Sequence, residues 1–186
     1  MAFLIVRGLA LASLLALLPA FGPTAARAAD SSAEYQLKAA FLYRFAQFTE
    51  WPAGALGRSD SLVLCVLGED PFGGALGGIE GHSVHQRPLA IRRLGDAQQI
   101  NQCHIAFLGP MRPDALGQTI RRGRQFNVLT VSDAKNFAAV GGAIQFVVVN
   151  DRIQFEINHA AAEQAGLKLS SHLLKLARTV YTSLPE

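Results

Sequence analysis

EYQLKAAFLYRFAQFTEWP, residues 34–52, is the stretch around which the chain is organised. It has the length of an ordinary helix. Leu37, Phe41, Phe45 and Phe48 recur at helical spacing on one face. Tyr35, Ala39, Leu42 and Ala46 make a second apolar strip. A helix apolar on two sides is expected between other elements rather than on a surface. Pro52 is expected to stop it, and Trp51 before the proline is biased toward an extended conformation. Arg44 projects close to Leu37 and Phe48. A charge there must snorkel to solvent along its own stem, find a partner, or bind something.

Downstream, the pattern changes to short apolar runs rich in branched residues. Leu62–Leu67 (LVLCVL), residues 103–108 (CHIAFL) and residues 127–131 read as buried strands. Residues 87–93 alternate only partly and are expected as a further strand. Between them lie helical signals. Asp70 with Pro71 opens a glycine-diluted helix over residues 72–79, and Asp96 caps a short turn to Asn101. Residues 114–122 read as a helix ended by Gly123, and Ser132 or Asp133 caps a short helix over residues 134–139. Residues 143–149 and 152–157 flank Asn150-Asp151, a two-residue turn signal for an antiparallel hairpin. Asn158 then caps a helix ended by Gly166. Ser170 or Ser171 caps a last helix over residues 173–181.

Alternating strands and helices predict the α/β class: a single-domain three-layer sandwich, mostly parallel, with a C-terminal antiparallel hairpin. In a doubly wound order the strands at 62–67 and 103–108 are neighbours. That would bring Cys65 and Cys103 within disulfide reach.

Upstream, Arg7 precedes the apolar segment at residues 8–20, and Ala26-Arg27-Ala28 matches the small-x-small cleavage pattern. Residues 1–28 therefore read as a cleaved secretory signal peptide, and residues 29–186 as one domain. The chain has 17 basic and 14 acidic residues, a net charge of +3. The first 28 residues take away two arginines and no acid, leaving +1. Short basic pairs, Arg92-Arg93 and Arg121-Arg122, do not make the stripe of a nucleic-acid binder. The two cysteines, Cys65 and Cys103, form a disulfide by default in an exported protein, the other reading being two buried thiols. Closing a 38-residue loop would contribute at most about 4 kcal/mol on the chain-entropy account.

Reactive motifs are sparse. The sequence has no Walker loop, G-x-S-x-G elbow, H-E-x-x-H or EF-hand loop. The glycines at 73–78 lack dinucleotide spacing. His82 and His85 lie three apart in a loop and read as exposed polar residues before they read as metal ligands. No catalytic residue, metal or cofactor is expected. The better surface comes from helix starts, whose unsatisfied N–H groups attract anions. Arg44, Asn158, His172, Lys175 and Arg178 could together form an anion or nucleotide-like pocket. The alternative is a solvated helix face whose cations suit the macrodipole. Trp51 is the preferred anchor for a protein partner, unless it is covered by the loop after it.

Three of these stretches carry a family resemblance: EYQLKAAFLYRFAQFTEWP, LCVLGEDPFG and IQFEINHAAAEQAGLKLSSHLLKLA. Together they resemble the YfiR-like family of exported bacterial regulators, across residues 34–181. The resemblance implies a small periplasmic α/β protein without enzymatic activity. It implies repression of an inner-membrane diguanylate cyclase through that enzyme's periplasmic sensor domain, which limits cyclic di-GMP and biofilm formation. An outer-membrane lipoprotein is a further partner it implies; a homodimer is the default assembly, and nucleic acid is not expected. Cys65 and Cys103 fit the positions of a family disulfide. Relatives carry a second cysteine pair in the C-terminal half that this chain lacks, so redox control resting on that pair does not carry over. The alternative function is a periplasmic binder of a small anionic or nucleotide-like molecule.

Overall fold

A computed structural model describes residues 24–57 and 60–184. The expected leader, residues 1–28, lies mostly outside the described residues.

Helix α1 spans Thr24–Gln47. Strand β1, Thr49–Glu50, follows at once. The helix therefore starts earlier than residue 34 and stops short of Pro52. Its end is set by long-range pairing and not by the proline: Thr49 and Glu50 pair antiparallel with Leu169 and Lys168 of β9 (Lys168–Leu169). Nor is α1 sandwiched between elements. Ala39, Leu42, Phe45 and Ala46 are buried, whereas Leu37 is 48% exposed. The second strip and Phe45 of the first face the core, Phe41 and Phe48 are half-buried, and Leu37 lies on an open flank. Burying Leu42 and Phe45 stabilises the contact by about 1.5–3 kcal/mol each.

Strand β2, Leu62–Leu67, is buried along its whole length. Strands β3 (Ser83–Val84) and β4 (Arg87–Leu94) come next. Then follow β5 (Ile105–Leu108), helix α2 (Pro113–Gln125), β6 (Leu129–Ser132), β7 (Ile144–Val149) and β8 (Arg152–Asn158). Helix α3 (His159–Gln164), then β9, helix α4 (Ser171–Leu176) and β10 (Thr179–Tyr181) complete the chain.

The main sheet has the order β10-β8-β7-β6-β5-β2-β4-β3. It is parallel from β4 to β7, with antiparallel pairings at β7–β8 and β3–β4. The fold is thus the expected mostly parallel α/β sheet. Alternation along β2 divides two cores. Leu62, Leu64 and Val66 pack with α1 on one face. Val63, Cys65 and Leu67 pack on the other with Ile120 of α2 and with Ile100, from a 3-10 turn at Ala97–Gln102. Cover on both faces is why the parallel strands read as continuous apolar runs.

Local chemistry explains the boundaries. Asn150 and Asp151 both take positive φ, at 50° and 57°, as a tight type I′ hairpin requires. Asp96, Asn158 and Ser170 each accept a hydrogen bond from a backbone N–H of the following turn. Four further helical expectations fail, in formation or in bounds. After Asp70 only a 3-10 turn forms, at Ala75–Gly78. Ser132 Oγ does accept from Ala134 N–H, but Asn136 adopts φ 62° and residues 134–139 stay a turn. Gly123 lies inside α2, buried beneath Thr130 and Ile100, rather than ending it. The last helix stops at Leu176 because Thr179–Tyr181 pairs in parallel with Glu156, Ile157 and Asn158 of β8.

In doubly wound sheets ligands bind outside the carboxyl ends of the strands, where the strand order reverses. Here that crevice, between β2 and β5, is closed. A Cβ on Gly109 would run into the Glu69 carbonyl, so the loops after the two strands abut. The open surfaces lie elsewhere.

Candidate functional site

One open surface is the flank of α1 bearing Phe41, Arg44 and Phe48. These three, with Phe45, Phe155 of β8 and His172, Leu173 and Leu176 of α4, line a groove of about 280 Å³. The β1–β9 pairing sets its width, and Ser170 N–H donates to the Phe48 carbonyl at 2.9 Å. These contacts fix the start of α4 beside the end of α1. The floor is aromatic: Phe155 sits 5.0 Å from Phe45 and 5.8 Å from Phe41 between ring centroids. The His172 ring lies 5.3 Å from that of Phe48. A neighbouring hollow of about 240 Å³ shares Phe41, Phe155 and Leu176 and extends past Ile153 to Arg178.

Arg44 and His172 are thus brought to one groove, each exposed at its rim. The Arg44 guanidinium donates to Gln47 Oε1 at 2.9 Å. Among the described residues it has no carboxylate partner. Arg178 lines the adjoining hollow and pairs with Glu156 at 3.3 Å. Lys175 is exposed on α4 and outside the groove lining. Asn158 is not presented to either hollow. It is buried, its Oδ1 accepts from Ala161 N–H, and its Nδ2 donates to the Ala138 carbonyl. The helix starts at Asn158 and Ser170 are therefore already capped, and each helix is only six residues long. The groove's polarity comes from side chains and not from free backbone N–H groups. An apolar slot with a guanidinium and an imidazole at its mouth suits an apolar or aromatic group carrying a negative charge.

Trp51 lies apart from this groove. It is half-buried, and its indole N–H donates to the His104 carbonyl at 3.3 Å. His104 is buried, and its Nδ1 accepts from Val63 N–H at 2.8 Å. Burial, then the nearby Arg87 and Arg92, push the His104 pKa below its ordinary value. The adjacent Cys103 is bonded to Cys65, with Cα atoms 5.8 Å apart, beneath the outer layer of the second core. The loop histidines are engaged as well. His85 Nε2 lies 2.9 Å from the Thr49 carbonyl, and His82 packs on Tyr43. Among the described residues no group of three His, Cys, Asp or Glu could hold a metal ion.

A buried ionic cluster escaped the sequence reading. Lys38 is 2% exposed and its Nζ meets Glu34 Oε1 at 2.6 Å and Asp133 Oδ2 at 2.7 Å. Tyr35 also donates to Asp133, at 2.8 Å. Burial, followed by the Asp133 hydrogen bond, pushes the Tyr35 pKa up to about 12. For Lys38, burial pulls the pKa down, but the Asp133 and Glu34 hydrogen bonds outweigh it and the net direction is up. Lys38 reads locally as a polar break between apolar strips, and its partner lies 95 residues away. Phe155 and Leu176 were likewise missed as groove residues, since only the tertiary packing of β8 and α4 against α1 reveals them.

Among known proteins, a family model described as YfiR/HmsC-like matches residues 35–178. Among solved structures, the chain is similar to a conserved domain protein from Vibrio cholerae O1 biovar eltor, at 11% identity and a TM-score of 0.49. That match covers 78% of this chain and 60% of the other. It is also similar to an ABC domain from Streptococcus pneumonia solved in complex with L-Trp, at 11% identity and a TM-score of 0.43. Here 64% of this chain and 55% of the other are covered. The chain thus spans less than two thirds of the length of either solved relative.

Proposed function

This chain belongs to the YfiR/HmsC-like family, and on that premise we propose that it is a non-enzymatic periplasmic regulator of an inner-membrane diguanylate cyclase. It acts by binding the cyclase's periplasmic sensor domain and holding cyclic di-GMP down, which limits biofilm formation. The observation that carries this reading is the family match, which runs through nearly every element of the sheet. The disulfide supports an oxidising compartment. No helix among the described residues is long and apolar enough to cross a membrane. The test is the cyclic di-GMP content of the native host with the gene intact and deleted. A rise on deletion is expected; an unchanged level contradicts the reading.

A second reading is favoured by the shared groove of Arg44 and His172. The groove binds a small molecule that joins an apolar or aromatic body to an anionic group, and occupancy biases the regulator. Such a ligand raises the melting temperature of the wild type in proportion to its concentration. The double change Arg44→Gln, His172→Gln abolishes that shift and leaves the unliganded melting temperature unchanged. A shift of equal size in the double variant would place the ligand elsewhere.

A further inference from the structure

The outer face of α2, across the sheet from the Arg44 groove, carries a larger depression of about 700 Å³. Ala115, Gln118, Arg122 and Gln125 recur every three or four residues and form one bank along the helix. The 3-10 turn at Ala97–Gln102 supplies the other bank, with Gln98 facing the gap. Arg112 stands at one end of the trough, and Arg121 and Arg122 stand at the other.

The charge is concentrated. Among the described residues lining the trough, three arginines, Arg112, Arg121 and Arg122, stand against one carboxylate, Asp96, while Arg124 turns away to Gln164 and the Gly141 carbonyl. The one carboxylate lining the trough, Asp96, is engaged at its own turn by Gln98 N–H at 2.8 Å. Among the described residues Arg112 has only a loose carboxylate contact, to Asp114 at 3.7 Å with both side chains exposed. Among the described residues no carboxylate pairs with Arg121 or Arg122. Cations in the last turn of a helix suit its dipole, which accounts for Arg122. It does not account for Arg112, which occupies the N-cap position where a cation is disfavoured and makes no capping hydrogen bond.

We propose that this trough docks an extended acidic segment of a protein partner. From Arg112 to Arg122 the helix rises about 15 Å, the length of about four to five residues of extended chain. Two carboxylates about four residues apart would reach both poles at once, and each arginine offers a fork matched to a carboxylate. Gln98, Gln118 and Gln125 provide both donors and acceptors, which fit the N–H and C=O groups of a peptide backbone. A phosphate headgroup uses donors alone, and a flat membrane does not enter a trough. The site lies on the face opposite the Arg44 groove and stands independently of the regulatory reading.

The test uses the exported protein and a fluorescent peptide of repeated Glu-Gly-Ser-Gly, read by anisotropy at low and high salt. Saturable, salt-weakened binding is expected, with no binding of the Gln-Gly-Ser-Gly counterpart. R121Q/R122Q should weaken binding by about tenfold or more, and Arg112→Gln should weaken it to a lesser extent. Lys168→Gln, a cation on β9, should bind as wild type. Because all these side chains are exposed, melting temperatures should stay unchanged and confirm intact folds. Absence of peptide binding, equal binding by R121Q/R122Q, or capture by anionic phosphatidylglycerol vesicles but not by the peptide would each overturn the proposal.

Discussion

Lys38 Nζ lies 2.7 Å from Asp133 Oδ2, joining helix α1 to the loop that leaves β6. The lysine side chain is 3% exposed, whereas Asp133 is 25% exposed and the second partner, Glu34, 35%. The three charges are therefore unequal in what they lose when a partner is removed. Taking the carboxylate from Asp133 leaves an under-compensated buried ammonium, which is expected to cost about 3 kcal/mol. Taking the ammonium away leaves carboxylates that water can reach. Urea unfolding should therefore show Asp133→Ala much less stable than Lys38→Met. Equal losses would show that the pair acts as a symmetric surface bridge.

Alkali should loosen the same cluster. The Tyr35 hydroxyl ionises near pH 10 in the unfolded chain and at about 12 in the folded one. Between these values the folded state holds the proton that the unfolded state has lost. The stability this provides is complete below about pH 10 and disappears as pH rises through 12. The raised Lys38 pKa acts in the same direction. Unfolding free energy of the wild type should fall above about pH 10, and Tyr35→Phe should flatten that slope. A tyrosine absorbance titration of the folded protein with all three tyrosines ionising near 10 would contradict this.

Acid should act through His104. Its Nδ1 accepts from Val63 N–H, so that nitrogen must be unprotonated in the folded protein. The folded pKa is held below the ordinary value, by burial first and then by Arg87 and Arg92. The unfolded state then binds more protons, and stability rises with pH through this range. It is complete above about 6.5 and is lost as pH falls toward the folded pKa. The melting temperature should drop as pH falls below about 6.5, with less drop in His104→Asn. Trp51 is the one tryptophan and donates to the His104 carbonyl. Its emission should therefore change over the same range, and a pH-independent emission would count against the link.

The Cys65–Cys103 bond closes a 38-residue separation. On the chain-entropy account, replacing both cysteines with alanine should cost about 4 kcal/mol or less. Both residues are at most 4% exposed, so a thiol reductant needs an opening of the fold to reach them. Thiol labelling after mild reduction should find neither cysteine until denaturant is added. Rapid labelling under native conditions would show that the outer layer over β2 opens readily.

Much of this architecture was legible in the sequence. Leu62–Leu67 announced a strand buried on both faces, and Asn150-Asp151 supplied the positive-φ turn of the hairpin. Asn158 and Ser170 marked true helix caps. The errors share one cause, which is pairing between distant segments. Pro52 looked like the stop for α1, but the helix had already given way to the β1–β9 ladder. Residues 173–181 kept a helical pattern, yet Thr179–Tyr181 is taken up by β8. Arg44 and His172 could be named separately from local pattern. That they share a groove depends on α4 docking beside α1, which no local signal encodes.

The regulatory reading meets its most direct test in complementation. Cyclic di-GMP would be measured in a deletion strain carrying full-length protein, protein lacking residues 1–28, or full-length protein with Arg44→Glu and His172→Glu. Full-length protein should bring the messenger down to the wild-type level. The copy without the leader, and the groove variant at equal abundance, should leave it raised. Restoration by the copy that lacks residues 1–28 would contradict action outside the cytoplasm, and failure of the full-length protein to lower the messenger would contradict repression itself.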